Sequence, residues 1–440
     1  MKLNQALICK RGVDMEKTQG SKLRKNIWRL IIITIAGSII YGLPYFRSYV
    51  YDAYLETYNL TNTQMGTFGS IFGVMGACSY LFGGVVADYV KPRKLMALSL
   101  VVSGLAGFLH MGHPNYGMLV VIYLVWGFTT LFAFWPSLLK CLRGMANPDE
   151  QSKAYGFMDG GRGIVNAIHA SLLVVIFNAV GKGVNNHAGI NGIIVFYSTL
   201  VILLGLLVWF FLKDEDVDED QPAAAEESKF KISDVGEVLK LPVVWMLSVV
   251  LFCTYNTNML YWYFTPYATA TMGMAASAAA MITVLAQYVR PVACFTGGIA
   301  ADKIGRANLM YITFGMMLAM TLILTFSKGL SSTAFIIVSI VTYFGMYAPY
   351  SLVFSMLEES GVPAKIGGTV IGVICTLGYL PEVICPLIAG KWLDKYGDAG
   401  YRRLFIYLSI MMVLGMIMLT VYKNYIKKNV KAAPAAEEAE

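Results

Sequence analysis

Arg162 and Arg290 carry the most explicit chemistry in this sequence. Each sits inside a long apolar stretch, Gly160-Gly161-Arg162-Gly163-Ile164-Val165 and Ala286-Gln287-Tyr288-Val289-Arg290-Pro291-Val292. An arginine at bilayer depth costs roughly 2.5–3.5 kcal/mol on insertion scales. A chain that bears this cost twice is expected to use the charges on something negative. The planar fork of a guanidinium suits a carboxylate, sulfonate or phosphate, which it holds by paired charge-assisted hydrogen bonds. The alternative is internal neutralisation. Asp159 stands three residues before Arg162, the right spacing for an ion pair on one helix, whereas Arg290 has no acid at such spacing.

Three further side chains are candidates for coupled proton movement: Asp159, His169 and Glu382. His169 follows Arg162 by seven residues, so it lies on the same helix face about 10 Å further along. A buried histidine can titrate near physiological pH or can simply be a hydrogen-bonded core residue. Glu382 lies in Gly378-Tyr379-Leu380-Pro381-Glu382, where Pro381 and Pro386 loosen the backbone. Aromatic and amide residues suit the walls of a site: Tyr41 and Tyr45, with Arg47, around Pro44; Trp135; Asn256 and Tyr261 within Tyr255–Tyr263; Gln287; and Tyr347. Such groups hydrogen-bond a substrate's hydroxyls and cover its apolar face. The competing reading is an ordinary interfacial belt of aromatics.

These residues need a membrane-spanning scaffold. The 440 residues are 57% hydrophobic and 14% charged, with a mean hydropathy of +0.60. That is too apolar for a soluble domain of this size. Apolar runs near 27–50, 62–89, 93–112, 115–142, 152–180, 190–212, 241–270, 275–302, 307–327, 332–358, 365–390 and 401–425 predict twelve spans, most longer than the ~20 residues a bilayer requires. No alternating barrel-strand pattern appears. On this division, Arg162 lies 10 residues past Ser152 and Arg290 12 residues before Asp302. Both therefore fall about 15–18 Å into a core of about 30 Å.

Basic residues set the expected orientation. With twelve spans, 25 of the 34 Lys and Arg fall on the side of the two termini and seven on the other, Arg47 among the seven. This bias predicts both termini in the cytoplasm. The net charge of +7 is then explained by anionic lipid, without nucleic acid. The basic 1–26 tail contains no cleavable signal pattern, and the seven cysteines show neither metal-ligand spacing nor a disulfide framework.

The acidic stretch 213–240 reads as a linker between two halves, 27–212 and 241–427, with a polar tail at 428–440. The halves look duplicated. Gly84-Val-Val-Ala-Asp88 recurs as Gly298-Ile-Ala-Ala-Asp302, Pro136 recurs as Pro349, and Gly156 recurs as Gly372, all at offsets of 213–216.

At this point the chain resembles the major facilitator superfamily. Gly298-x-x-x-Asp302-Lys303-x-Gly305-Arg306 matches that family's loop signature. Gly84-x-x-x-Asp88, followed by Lys91-Pro92-Arg93-Lys94, is a degenerate first copy. Glu150-Gln151-x-x-Ala154-x-Gly156 and Gly390-x-x-x-Asp394-Lys395-x-Gly397 extend the match. Trp135-Pro136-Ser137-Leu138-Leu139-Lys140 and Gly156-Phe-Met-Asp-Gly-Gly-Arg-Gly163, with an arginine in the eighth span, look similar to bacterial anion carriers. These are the oxalate, nitrate and organophosphate branches and the carriers encoded with sulfoquinovose breakdown.

The resemblance implies an all-α integral membrane protein of twelve transmembrane helices in two pseudo-symmetric six-helix bundles. Helices one, four, seven and ten would line the centre, and helices five and eight would pack across the halves. Gly84, Asp88, Arg93, Gly298, Asp302, Lys303, Gly305 and Arg306 would shape gating loops. The function implied is secondary transport of a small organic anion by alternating access. It would be coupled to a proton, a cation or a counter-anion and would take place in the bacterial inner membrane, with the lipid bilayer as surroundings. A proton-coupled multidrug exporter is the second reading, opposed by two midplane cations. A non-transporting membrane sensor is the third, and a signalling domain would be expected for it. No HExxH, GxSxG or Walker pattern occurs, so an enzyme is not expected. No cofactor and no metal are expected, and the chain is expected to work as a monomer.

Overall fold

The computed structural model describes residues 21–147, 150–182, 185–212, 234–327, 329–349, 352–363 and 366–429. The acidic run and Pro222 of the linker therefore lie outside the described residues, whereas its end holds the short helix Val235–Val238. Among the described residues all regular structure is helical, and it forms twelve spans.

In the first half, α1 runs as Ile27–Ile39, Gly42–Tyr49 and Tyr51–Tyr58, and α2 as Asn62–Tyr89. Next come α3 (Pro92–His110), α4 (Tyr116–Gly127, Phe128–Phe134 and Trp135–Gly144), α5 (Gln151–Gly181) and α6 (Asn186–Phe211). The second half repeats the plan with α7 (Pro242–Leu260, Tyr261–Tyr263 and Phe264–Met272), α8 (Ala276–Ile304), α9 (Arg306–Phe326) and α10 (Ser332–Tyr347 and Leu352–Glu358). It closes with α11 (Gly367–Gly378 and Pro381–Tyr396) and α12 (Ala399–Asn429). Ten of these spans, or eleven with the bent α1, are long and apolar enough to cross a membrane. Large apolar side chains such as Phe210, Phe295 and Phe326 face outward, as a lipid-facing surface requires.

Local sequence explains the starts and breaks. Thr61 and Gln64 form a capping box on α2, and Asn115, Asn185 and Ser331 cap α4, α6 and α10. Pro136 cannot donate to the α4 ladder, and the turn before it widens into a π-helix over Phe128–Phe134. Pro381 restarts α11 after a break at Tyr379 and Leu380. Within each half, outer helices meet through small residues. A Cβ added at Gly104 of α3 would stand 2.5 Å from Ile202 of α6, and one at Gly415 of α12 would stand 2.6 Å from Phe314 of α9.

The first and last described segments lie at one end of the bundle, called the tail end here. Leu23 donates its amide to Glu150 (3.1 Å) ahead of α5, and Tyr422 donates to the Met356 carbonyl (2.6 Å) at the end of α10. Cross-half hydrogen bonds gather towards the opposite, far end. Asp394 of α11 accepts from the amides of Asn62 and Thr63 (2.9 and 2.8 Å) at the start of α2. Tyr45 donates to Glu382 (2.9 Å), Ser70 to the Val383 carbonyl, and Thr269 to Asp52. The α2–α11 seam is close because α2 presents glycines. A Cβ at Gly66 would stand 2.2 Å from the Pro386 carbonyl oxygen, and one at Gly73 would stand 2.6 Å from the Glu382 backbone. The far end is thus sealed by backbone-to-backbone packing.

Candidate substrate site at the centre of the bundle

Besides α11, four spans break near their middles, and each of these breaks carries an aromatic ring. Tyr41 stands at the 46° bend of α1, Trp135 where the π turn of α4 ends, and Tyr261 at the start of the 3-10 turn in α7. Tyr347 is the last residue of the first α10 helix, two before Pro349. Irregular backbone at membrane depth is tolerated where it is buried in protein or lines a cavity. The four rings therefore mark the middle of the molecule.

The two arginines are seated on these rings. The Arg162 guanidinium lies 4.6 Å from the centre of the Trp135 ring and 5.6 Å from that of Tyr41. Its Nε donates to the Gly37 carbonyl of α1 (3.0 Å), and Nη1 is 3.6 Å from the exposed Asp159 carboxylate. Gly161 permits this approach, since a Cβ there would stand 2.7 Å from Thr34. Arg290 stands over Tyr347 at 5.5 Å. The helices that carry the two arginines cross beside them: a Cβ at Gly163 would lie 4.0 Å from the Cβ of Pro291. Ser171 and Tyr288 then join α5 to α8 by hydroxyls 2.8 Å apart. Each arginine is one residue from the crossing point, and the two come from opposite halves.

The other wall residues divide. Tyr261 is buried and accepts from Gln287 (3.4 Å), next to Trp262 and Tyr343. Tyr45 stacks on Trp262 at 5.4 Å, and Tyr49 meets the same ring edge-on at 5.2 Å, so these rings roof the centre on its far-end side. Asn256 is placed elsewhere. Its amide donates to the Phe252 carbonyl and accepts from Cys385 and Tyr407, inside the second half. Of the proton candidates, Asp159 pairs with Arg162, and Glu382 is held by Tyr45. His169 is enclosed, with Nδ1 on the Tyr197 hydroxyl (2.7 Å) and Nε2 on Asn166 (3.1 Å).

The signature loops lie at the tail end. Gly305 has φ +87°, a conformation that favours glycine, and it turns the chain between α8 and α9. Arg306 pairs with Glu359 (3.1 Å) and donates to the Ser355 carbonyl. Arg93 donates to the Leu212 carbonyl (3.3 Å) and covers Trp209. Gly298 faces open space, and Asp302 and Lys303 are exposed. Gly84 and Asp88 lie within α2, and their side chains are outside the described residues.

The model of the Major Facilitator Superfamily matches residues 30–386. The chain belongs to that superfamily. It is therefore a multi-pass membrane transporter and not an enzyme. The inner membrane protein YqcE of Escherichia coli (strain K12) is 28% identical over 92% of this chain and 96% of its own length. The "Probable sulfoacetate transporter SauU" of Cupriavidus necator is 22% identical over 78% of this chain and 81% of its own. Among solved structures, a bacterial homologue of the human lysosomal transporter Spinster, inward-facing and unoccupied, superposes with a TM-score of 0.75. It covers 92% of this chain and 98% of that one at 14% identity, so the fold is shared.

Two features of this superfamily member were only partly legible in the sequence, Arg47 being both a wall candidate and an outside charge. Arg47 counts as an outside charge by topology, yet it is only 7% exposed and lies over the Tyr123 ring at 5.2 Å. Its place among Pro44, Tyr45 and Tyr49 was the signal available. The role of Asp394, read only as a repeat of the loop motif, is to cap the start of α2 across the halves. The spacing Gly66, Gly69, Gly73 and Gly76 could have disclosed that seam.

Proposed function

We propose that this transporter carries a small organic anion, a carboxylate, sulfonate or phosphate ester, across a bacterial inner membrane by alternating access. Both termini are cytoplasmic in this reading, so the sealed far end is the outside gate. The observation that carries the proposal is the placement of Arg162 and Arg290 on either side of the Gly163–Pro291 crossing, each over an aromatic ring at a helix break. Two guanidinium groups from opposite halves would bind one anion and so tie its binding to their relative motion. A cationic drug would be repelled by the same pair.

A relative named for sulfoacetate, which bears a carboxylate and a sulfonate, supports a substrate with two anionic ends. The roof of Tyr45, Tyr49 and Trp262 and the wall of Tyr261, Gln287 and Tyr347 supply hydrogen bonds and apolar cover. Driving force comes from a proton, another cation or a counter-anion. Glu382 is the proposed coupling carboxylate, because it joins the two halves through Tyr45. His169 and Asn256 are proposed as structural, because their polar atoms are held by neighbours. The protein acts as a monomer in this reading.

The test is uptake of labelled sulfoacetate into proteoliposomes, followed by a panel of carboxylates and phosphate esters. Wild-type protein should transport at least one of these anions. Arg162→Gln and Arg290→Gln should each lower apparent affinity by about 30-fold or more, the effect of removing one partner of a buried charge pair. Unchanged uptake in both variants would overturn the anion-site reading.

A further inference from the structure

Arg47 stands apart from the central pair. It follows Gly37, the carbonyl partner of Arg162, by ten residues, so it lies about 15 Å nearer the far end along α1. It is 93% buried by its 7% exposure. Its guanidinium rests on the Tyr123 ring and donates through Nη1 to the Ser48 hydroxyl (3.3 Å). Its Nε has no hydrogen-bond partner among the described residues, and no ion pair reaches it there.

Arg47 lines a cavity of about 40 Å³ between the halves, together with Ser48, Tyr45, Trp262 and Glu382. Gly69 forms part of the wall: a Cβ there would stand 3.4 Å from Nη2 of Arg47, so the guanidinium lies flush against the α2 backbone. A buried, permanently charged arginine needs a negative partner. Glu382 is the carboxylate of this chamber, but one of its oxygens is taken by Tyr45 and it makes no ion pair with Arg47. The space admits about two or three waters or one halide ion.

We infer that this chamber is a binding site for a monatomic anion of chloride size, held by Arg47 and Ser48 and separate from the central organic-anion site. The anion would neutralise Arg47 while the far end is sealed. Glu382 on the opposite wall would oppose it, so its neutralisation should strengthen binding. The inference does not depend on which organic anion the central site takes.

The experiment is thermal unfolding of the purified full chain in sodium chloride, bromide and fluoride at equal ionic strength. Fluoride is too strongly hydrated to be buried readily. Wild-type protein should melt higher in chloride and bromide than in fluoride, because a ligand of the folded state stabilises it by mass action. Arg47→Gln should lose that difference, Ser48→Ala should need more chloride for the same shift, and Glu382→Gln should need less. Arg162→Gln and Arg290→Gln should keep it. If Arg47→Gln does not fold, Ser48→Ala and the anomalous signal of bromide in a crystal decide the question, with bromide expected beside Arg47. The inference is overturned if wild-type stability does not distinguish chloride from fluoride, if Arg47→Gln retains the difference, or if bromide lies elsewhere. Loss of the difference in Arg162→Gln or Arg290→Gln, with retention in Arg47→Gln, would place the halide at the central site instead.

Discussion

The Tyr45 hydroxyl donates to Glu382 at 2.9 Å and so joins α1 of the first half to α11 of the second. This bond lies between the central arginines and the sealed far end. A hydrogen bond to a charged group is worth about 1.5–3 kcal/mol. Tyr45→Phe should therefore shift the population towards the far-end-open state by roughly tenfold or more. Labelling of a cysteine placed at Ser70 by an impermeant maleimide should speed up accordingly. An unchanged labelling rate would remove this bond from the gate.

Asp394 caps α2 across the halves with three hydrogen bonds, from the amides of Asn62 and Thr63 and from the Asn62 side chain. Its charge also faces the positive end of the α2 dipole. Asp394→Asn keeps the shape but loses the charge. It should weaken the closed far end by about 0.3–1 kcal/mol, read by the same labelling assay.

The glycine seam gives a prediction of opposite kind. A Cβ at Gly390 would stand 2.3 Å from the Asn62 carbonyl oxygen, and both atoms belong to helix backbones that cannot step aside singly. Gly390→Val should block closure of the far end and abolish turnover while leaving the protein folded. Normal melting with absent uptake is the expected pair of results. Normal uptake would show that the seam opens and closes by another route.

Glu150 anchors the segment that precedes α1 at the tail end. It is held below the usual carboxylate range first by the Ser21 side chain, and also by the amides of Leu23 and Asn147. Because its folded value is depressed, the stability it adds is present above the unfolded value of about 4.3 and is lost as pH falls through the folded value. Hydrogen exchange at the Leu23 amide should accelerate as pH is lowered through that range, after correction for intrinsic rates. In Glu150→Gln it should be fast throughout, without the pH-dependent step.

Much of the scaffold was legible because span length and signature loops are local properties of the chain. The positive φ of Gly305 and the π turn before Pro136 are the backbone consequences of residues visible in the sequence. The crossing of α5 and α8 was expected from resemblance, and Gly163 against Pro291 gives it an address. What periodicity could not disclose is which side of a helix meets which neighbour. Asn256 sits in a rich aromatic segment, yet its amide is committed to Cys385 and Tyr407, more than a hundred residues away. His169 shares a face with Arg162 by count, but the α6 residue Tyr197 takes its ring. Arg47 carries two expectations, an outside charge by loop counting and a wall residue by its neighbours, and at the break in α1 it is buried, as the second requires.

The central claim is that Arg162 and Arg290 bind one anion together across the Gly163–Pro291 crossing. The most direct measurement is the double-mutant cycle of sulfoacetate binding by calorimetry on wild type, Arg162→Gln, Arg290→Gln and the double variant, with the best anion of the uptake panel used if sulfoacetate is not transported. If both arginines hold the same ligand, the double variant should lose clearly less affinity than the two single losses multiplied together, a coupling of about 1–3 kcal/mol. Losses that simply multiply, or no loss from either single change, would contradict a shared anion clamp.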